Sequence, residues 1–121
     1  MALEIYGVES AGDINNEMLI LRVKGDDVFT WYHAVLDNTY KDGTLSNKLR
    51  HVFYFDDASP YERLEDGDMI YLFTGDGNNK VKKQGDKKIC YYYWGLSKSI
   101  WNKDGDTATL LEVEKRSDKS V

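Results

Sequence analysis

The sequence predicts an all-β protein, an immunoglobulin-like antiparallel β-sandwich of seven to eight strands. Short runs of aromatic and β-branched residues recur along the chain, and clusters of Gly, Asp and Asn separate them. No segment has the length and periodicity that would predict a long helix. Because single cores typically serve about 100–200 residues, the 121 residues fit one domain. We assign residues 1–113 to this domain and expect the polar tail, residues 114–121, to be frayed.

The N-terminal half predicts four strands. Leu3 to Val8 comes first, and Glu17 to Val23 follows with apolar residues at alternate positions, as in a half-buried strand. Val28 to Leu36 is apolar and aromatic enough for a third strand, although its spacing also fits a short helix. After a polar loop from Tyr40 to Lys48, His51 to Phe55 forms the fourth strand.

The C-terminal half predicts three more strands, and it contains the densest aromatic run. Met69 to Thr74 is one strand, and Ile89 to Trp94 has the side chains of a central strand. Trp101 then forms an aromatic corner, where its burial would stabilise the fold by several kcal/mol. The following turn, Asn102 to Asp106, contains an Asp-Gly pair, and Thr107 to Val113 closes the sheet.

Three stretches resemble motifs of a known family. The segment Tyr93-Trp94-Gly95, followed by residues 100–111 with the sequence Trp-Asn-Lys-Asp-Gly-Asp-Thr-Ala-Thr-Leu at 101–110, resembles the end of bacterial lamin tail domains. Residues 37–40 with 46–55, and residues 64–75, are similar to earlier segments of the same family. The resemblance spans residues 3–113 and departs from the family at residues 28–36. It implies a β-sandwich of bacterial or phage origin that acts as a non-catalytic adaptor for proteins or nucleic acid.

Composition indicates an intracellular globular protein. The chain is 41% hydrophobic and 31% charged, and its apolar runs fall short of the roughly 20 residues that span a bilayer. The N-terminus lacks the basic and apolar regions of a signal peptide. Cys90 is the single cysteine, which excludes an intrachain disulfide and is compatible with a reducing compartment. We therefore expect a cytoplasmic location and a small buried thiol at Cys90.

Charge is concentrated in two clusters, although the net charge is only −5. A net negative charge argues against general nucleic-acid binding, which leaves a basic footprint. The basic cluster, interpreted as a loop around Gly85, comprises Lys80, Lys82, Lys83, Lys87 and Lys88. The acidic cluster before the middle strand comprises Asp56, Asp57, Glu62, Glu65, Asp66 and Asp68. Both clusters fit solvated loops as well as binding surfaces.

The sequence contains no pattern that predicts catalysis. His33 and His51 lie among aromatic residues and are interpreted as packing residues, because no nucleophile or orienting group is placed beside them. The side-chain oxygens of Asn102, Asp104 and Asp106 have the spacing of the first ligands of a calcium-binding loop. The residues at the later positions are not those that a calcium-binding loop requires. We therefore predict neither an enzyme nor a metal or other cofactor.

A binding function remains, and its partner could be a protein or a nucleic acid. Nine tyrosines and three tryptophans exceed what a small core needs, and such residues are enriched at interfaces. Tyr91 and Tyr93 point to one face of their strand, while Tyr92 and Trp94 point to the other. Our first hypothesis is an interaction module that uses Tyr91, Tyr93 and the basic cluster. The alternatives are an acidic inhibitor that places Asp56, Asp57, Glu62, Glu65 and Asp66 in a basic groove, and a hydrolase with a diffuse site.

Overall fold

The computed structural model describes residues 2–41, 44–101 and 106–121, with side chains described for residues 2–37, 51–101 and 107–121. Of the residues whose side chains are described, 48% lie in strands and 6% in helical turns, which confirms the all-β prediction. The described strands are β1 (Leu3–Glu9), β2 (Met18–Val23), β3 (Val28–Phe29), β4 (His33–Lys41), β5 (Thr44–Tyr54), β6 (Arg63–Leu64), β7 (Met69–Phe73), β8 (Lys80–Gln84), β9 (Lys87–Tyr93) and β10 (Asp106–Glu112). Two 3₁₀ turns, Thr30–Tyr32 and Phe55–Asp57, complete the elements.

Two larger sheets face each other across one core. The first has five strands in the order β1-β2-β7-β9-β8, and the second has three in the order β10-β4-β5. Strands β3 and β6 form a small two-stranded sheet beside them. Buried residues of both larger sheets belong to one hydrophobic cluster, so the arrangement is a sandwich. The immunoglobulin-like strand order remains a prediction.

One strand pairing differs from the antiparallel prediction. β7 and β9 run parallel, with Tyr71 opposite Tyr91 and Phe73 opposite Tyr93. The chain passes from β7 to β8 at the edge of the sheet, and β9 then returns between them, antiparallel to β8. The β8–β9 hairpin has a two-residue loop, and Gly85 supplies the positive φ, 66°, that such a loop needs. Hydrophobic patterns predict strands but do not reveal their order in space.

The inner faces of the two sheets supply the core. The five-stranded sheet contributes Leu19, Leu21, Ile70, Leu72, Cys90 and Tyr92, and the three-stranded sheet contributes Val35 and Phe53. Trp101 is only 5% exposed and packs edge-on against Trp94, with ring centroids 6.4 Å apart. The prediction of a buried aromatic corner at Trp101 is therefore confirmed. Residues 102–105 of the turn predicted next to Trp101 lie outside the described residues, and so does the calcium-loop spacing.

Three local predictions were wrong. The strand predicted from Val28 to Leu36 is interrupted by a 3₁₀ turn, because buried Thr30 bonds through its N–H and its hydroxyl to the backbone of Glu62. The polar loop predicted from Tyr40 to Lys48 is largely the paired ends of β4 and β5, since backbone pairing does not require apolar side chains. The basic loop around Gly85 is the hairpin β8–β9.

A buried carboxylate joins three segments of the chain. Glu17 is fully buried, and its side chain accepts hydrogen bonds from the backbone N–H groups of Gly12, Ile100 and Trp101 at 2.8–3.3 Å. The Thr74 hydroxyl donates a fourth bond at 2.5 Å. Buried charges are tolerated when they are hydrogen-bonded in this way. Glu17 therefore anchors the aromatic corner to the start of β2 and the end of β7.

None of the helical segments in the described part of the chain has the length and apolar character needed to cross a membrane.

Candidate interaction site

Four aromatic residues cover the outer face of the five-stranded sheet. Tyr71 and Phe73 lie on β7, and Tyr91 and Tyr93 lie directly beside them on β9. All four are half-buried, whereas Tyr92, on the opposite face of β9, is fully buried in the core. This confirms that Tyr91 and Tyr93 share a face and that Tyr92 points away from it. We call Tyr71, Phe73, Tyr91 and Tyr93 the aromatic face.

The rings of the aromatic face are held in fixed positions by one another. Phe73 stacks on Tyr93 with centroids 5.0 Å apart and an interplanar angle of 13°, and it lies nearly parallel to Tyr91 at 6.3 Å. Tyr71 contacts Tyr91 edge-on at 5.5 Å. Gly77 packs on the Tyr93 ring so closely that an added Cβ would lie 2.3 Å from it. Rings ordered in advance lose little entropy when a partner binds.

Two lysines of β8 border the aromatic face. The Nζ atoms of Lys80 and Lys82 lie 5.3 and 5.6 Å from the centre of the Tyr91 ring, within the range of a cation–π interaction. Both side chains are exposed, and neither forms an ion pair with a described residue. At the opposite side of the same face, Arg22 is neutralised by Glu4 at 2.6 Å. Positive charge is therefore concentrated along the β8 border.

The remaining predicted lysines do not join this border. Lys83 lies on the opposite face of β8 from Lys80 and Lys82, and its register partner on β9 is Lys88. Lys88 forms an ion pair with Glu62 at 3.5 Å, and Lys87 donates a hydrogen bond to the carbonyl oxygen of Asp66 at 2.7 Å. The basic cluster is thus divided into Lys80 and Lys82 beside the aromatic face, the exposed Lys83 on the opposite face, and Lys87 and Lys88, which contact other segments of the same chain.

The acidic cluster is engaged within the molecule. Arg116 of the tail lies 3.1 Å from Asp56 and 3.0 Å from Asp57, and its guanidinium packs over the Tyr54 ring. The Arg63 side chain lies 3.2 Å from Glu65. The remaining acids are also in contact: Glu62 pairs with Lys88, the Asp66 carboxylate accepts the Gly25 N–H, and the Asp68 carboxylate accepts the backbone N–H groups of Glu65 and Lys88. The structure thus pairs Asp56, Asp57, Glu62 and Glu65 with cations of the same chain and Asp66 with a backbone N–H.

The histidines differ in environment. His33 is buried, its Nδ1 lies 2.9 Å from the Phe29 carbonyl, and desolvation lowers the pKa of its imidazole. His51 is more exposed, and its Nδ1 lies 3.0 Å from the buried carboxylate of Asp37. Such a pair orients an imidazole, but no described hydroxyl or thiol group forms a hydrogen bond with His51. Nor does any cluster of three potential metal ligands occur among the described residues.

Cys90 is expected to be unreactive in the folded protein. The thiol is fully buried in the core, and desolvation raises its pKa to about 12. Because the thiolate is the nucleophile, alkylation by iodoacetamide should be more than about a hundredfold slower in native protein than in urea-unfolded protein. Mass spectrometry of timed samples measures both rates. Equal rates would show that the β9 region opens readily in the native state.

Comparisons with known proteins leave the resemblance untested: no family model, no curated protein and no solved structure matches this chain. The relation to lamin tail domains therefore stays a prediction.

Proposed function

We propose that the protein is a non-enzymatic interaction module that binds its partner through the aromatic face and the Lys80–Lys82 border. The observation that carries this proposal is the position of two exposed ammonium groups beside half-buried, mutually stacked rings. Aromatic rings supply contact area at low entropic cost, and the lysines select an anionic surface. The resemblance to lamin tail domains, which act as adaptors, is in line with this function.

Two further features favour binding through the aromatic face and the Lys80–Lys82 border. The net charge of −5 disfavours association with polyanions at long range, so attraction has to come from the local β8 border. Four acids of the alternative inhibitor hypothesis, Asp56, Asp57, Glu62 and Glu65, already pair with Arg116, Lys88 or Arg63, and a basic groove would have to compete with these cations. We also propose that the module works in a reducing compartment, because its single cysteine is a core residue.

Reversing the charge of the border tests this function. The double variant Lys80→Glu, Lys82→Glu should reduce capture of specific partners from a native lysate by at least about tenfold, because it places repulsive charge against an anionic surface. A matched control is Lys115→Glu, Lys119→Glu, which makes the same charge change on the exposed tail. Quantitative mass spectrometry compares the captured proteins and nucleic acids.

Stability must be measured on the same variants. Exposed substitutions usually change the free energy of unfolding by less than about 0.5 kcal/mol, so both doubles should unfold like the parent protein in urea. Equal capture by both doubles would contradict the proposal. Loss of capture only in an Asp56→Asn, Asp57→Asn variant would instead favour the acidic inhibitor.

A further inference from the structure

β8 is an edge strand of the five-stranded sheet. It pairs with β9 on one side, and in the described sheet no strand lies on its other side. Four of its five residues are exposed, and only Val81 packs partly against the core. At the opposite edge of the same sheet, β1 carries an irregularity between Ile5 and Gly7 that interrupts its ladder. No such shift occurs in the pairing of β8, so this edge is regular.

The direction of the backbone groups of β8 follows from the neighbouring strand. The N–H of Trp94 donates to the Phe73 carbonyl, and the N–H of Lys88 donates to Asp68, so even-numbered residues of β9 point towards β7. The N–H of Tyr93 donates instead to Asn79, on the β8 side. Successive N–H groups of a strand point to opposite sides, so Tyr91 and Ile89 bond to β8.

The pairing register then identifies the free groups of β8. Lys80 is opposite Tyr91 and Lys82 is opposite Ile89, so these two lysines use their N–H and C=O groups within the hairpin. Val81 and Lys83 lie at the alternate positions, opposite Cys90 and Lys88. Their N–H and C=O groups therefore point away from β9, towards the open edge.

We infer that β8 binds an extended acidic segment of a partner protein by strand addition. Main-chain hydrogen bonds to Val81 and Lys83 would supply affinity, and alternate side chains would supply specificity. Residues of the segment opposite Lys80 and Lys82 would lie on the aromatic face, so carboxylates are favoured there. The residue opposite Val81 would lie on the inner side, where an apolar side chain fits.

Charge complementarity decides between possible occupants of this edge. A second copy of β8 would place lysines opposite lysines, which is destabilising and is a known protection of edge strands. An acidic strand would place opposite charges in the same positions. This inference rests on the proposed function and specifies how the partner would dock.

The test uses the full chain and a defined probe. The probe is a fluorescent, end-blocked peptide of about nine alternating glutamate and valine residues, and its counterpart has lysine in place of glutamate. Fluorescence anisotropy should show saturable binding of the glutamate peptide and none of the lysine peptide. In amide hydrogen exchange, the Val81 and Lys83 N–H groups should become protected when the glutamate peptide is bound.

A proline substitution separates strand addition from simple charge attraction. Lys83→Pro removes one N–H that points to the open edge and leaves the β8–β9 ladder intact, because proline is tolerated on edge strands in this position. It should weaken binding of the glutamate peptide by about five- to tenfold relative to Lys83→Ala, which matches the loss of the side chain. Equal unfolding midpoints of the two variants confirm that the fold is retained.

Three outcomes would overturn the inference. Equal affinities of Lys83→Pro and Lys83→Ala would show that the edge backbone is not used. The inference would also be wrong if the glutamate peptide did not bind. It would be wrong as well if a single-stranded oligothymidylate of about fifteen nucleotides bound in preference to the peptide. The proposed function fails separately, since it depends on partner capture by the Lys80→Glu, Lys82→Glu variant and not on this peptide.

Discussion

Replacing Trp101 by alanine is expected to lower the free energy of unfolding by about 3–5 kcal/mol. The indole is 5% exposed and belongs to the central hydrophobic cluster, where it contacts Trp94. Its removal loses the transfer free energy of a large aromatic side chain and leaves a cavity that the surrounding strands fill only in part. Such a loss is a large share of the roughly 5–15 kcal/mol that stabilises a domain. Urea denaturation followed by far-ultraviolet circular dichroism measures it.

Trp101→Phe is the matched variant. The indole N–H of Trp101 has no hydrogen-bond partner in the described structure, so phenylalanine loses ring volume but no hydrogen bond. Its cost should therefore be clearly smaller than that of alanine. If Trp101→Ala left stability unchanged and abolished partner capture, Trp101 would be a recognition residue and the corner would belong to the interface.

The parts of the fold that could be predicted are those with strict alternation. β2, β7 and β9 each place apolar residues at every second position towards the core, and their predicted bounds differ from the observed ones by one or two residues. Such periodicity reports burial on one face, which is a local property. Residues 28–36 carry the same composition, yet Thr30 bonds to Glu62 and a 3₁₀ turn forms. That contact joins residues far apart in the chain, so no local pattern indicates it.

The sequence predicts which residues of one strand share a face, but it does not predict which strands lie side by side. Tyr91 and Tyr93 were expected to share a face from their spacing alone. Tyr71 and Phe73 were missed, although they alternate with Ile70 and Leu72 along β7. Their membership of the aromatic face depends on β7 being the parallel neighbour of β9, which requires the sheet order.

Ion pairs between residues far apart in the chain could not be predicted from the sequence either. Lys88 and Glu62 were assigned to opposing hypothetical surfaces, and the fold brings their side chains together. A charge cluster in a sequence shows how many charged residues are present, whereas the fold determines which of these residues form ion pairs. Lys80 and Lys82 form no such pair with a described residue, and for this reason the β8 border carries the functional proposal.

Glu17→Ala is expected to be as damaging as the loss of Trp101, with a cost of about 3–5 kcal/mol, because it leaves several buried donors unsatisfied. The carboxylate is fully buried and accepts four hydrogen bonds, including those from the N–H groups of Ile100 and Trp101. Alanine would leave these donors buried without an acceptor, and each unsatisfied group costs about 1–3 kcal/mol. Hydrogen exchange should accelerate at the same two amides, because the segment before Trp101 loses its anchor.

Two comparisons make the Glu17 experiment specific. Glu9→Ala removes an exposed glutamate of β1 and should change the free energy of unfolding by less than about 0.5 kcal/mol. Thr74→Val removes only the hydroxyl donor and should cost about 1 kcal/mol. A loss below about 1 kcal/mol for Glu17→Ala would contradict the anchoring role. It would mean that the four donors find another acceptor, such as water, when the carboxylate is removed. If the full loss is found together with faster exchange at Ile100 and Trp101, the anchor and the aromatic corner act as one stabilising unit behind the aromatic face.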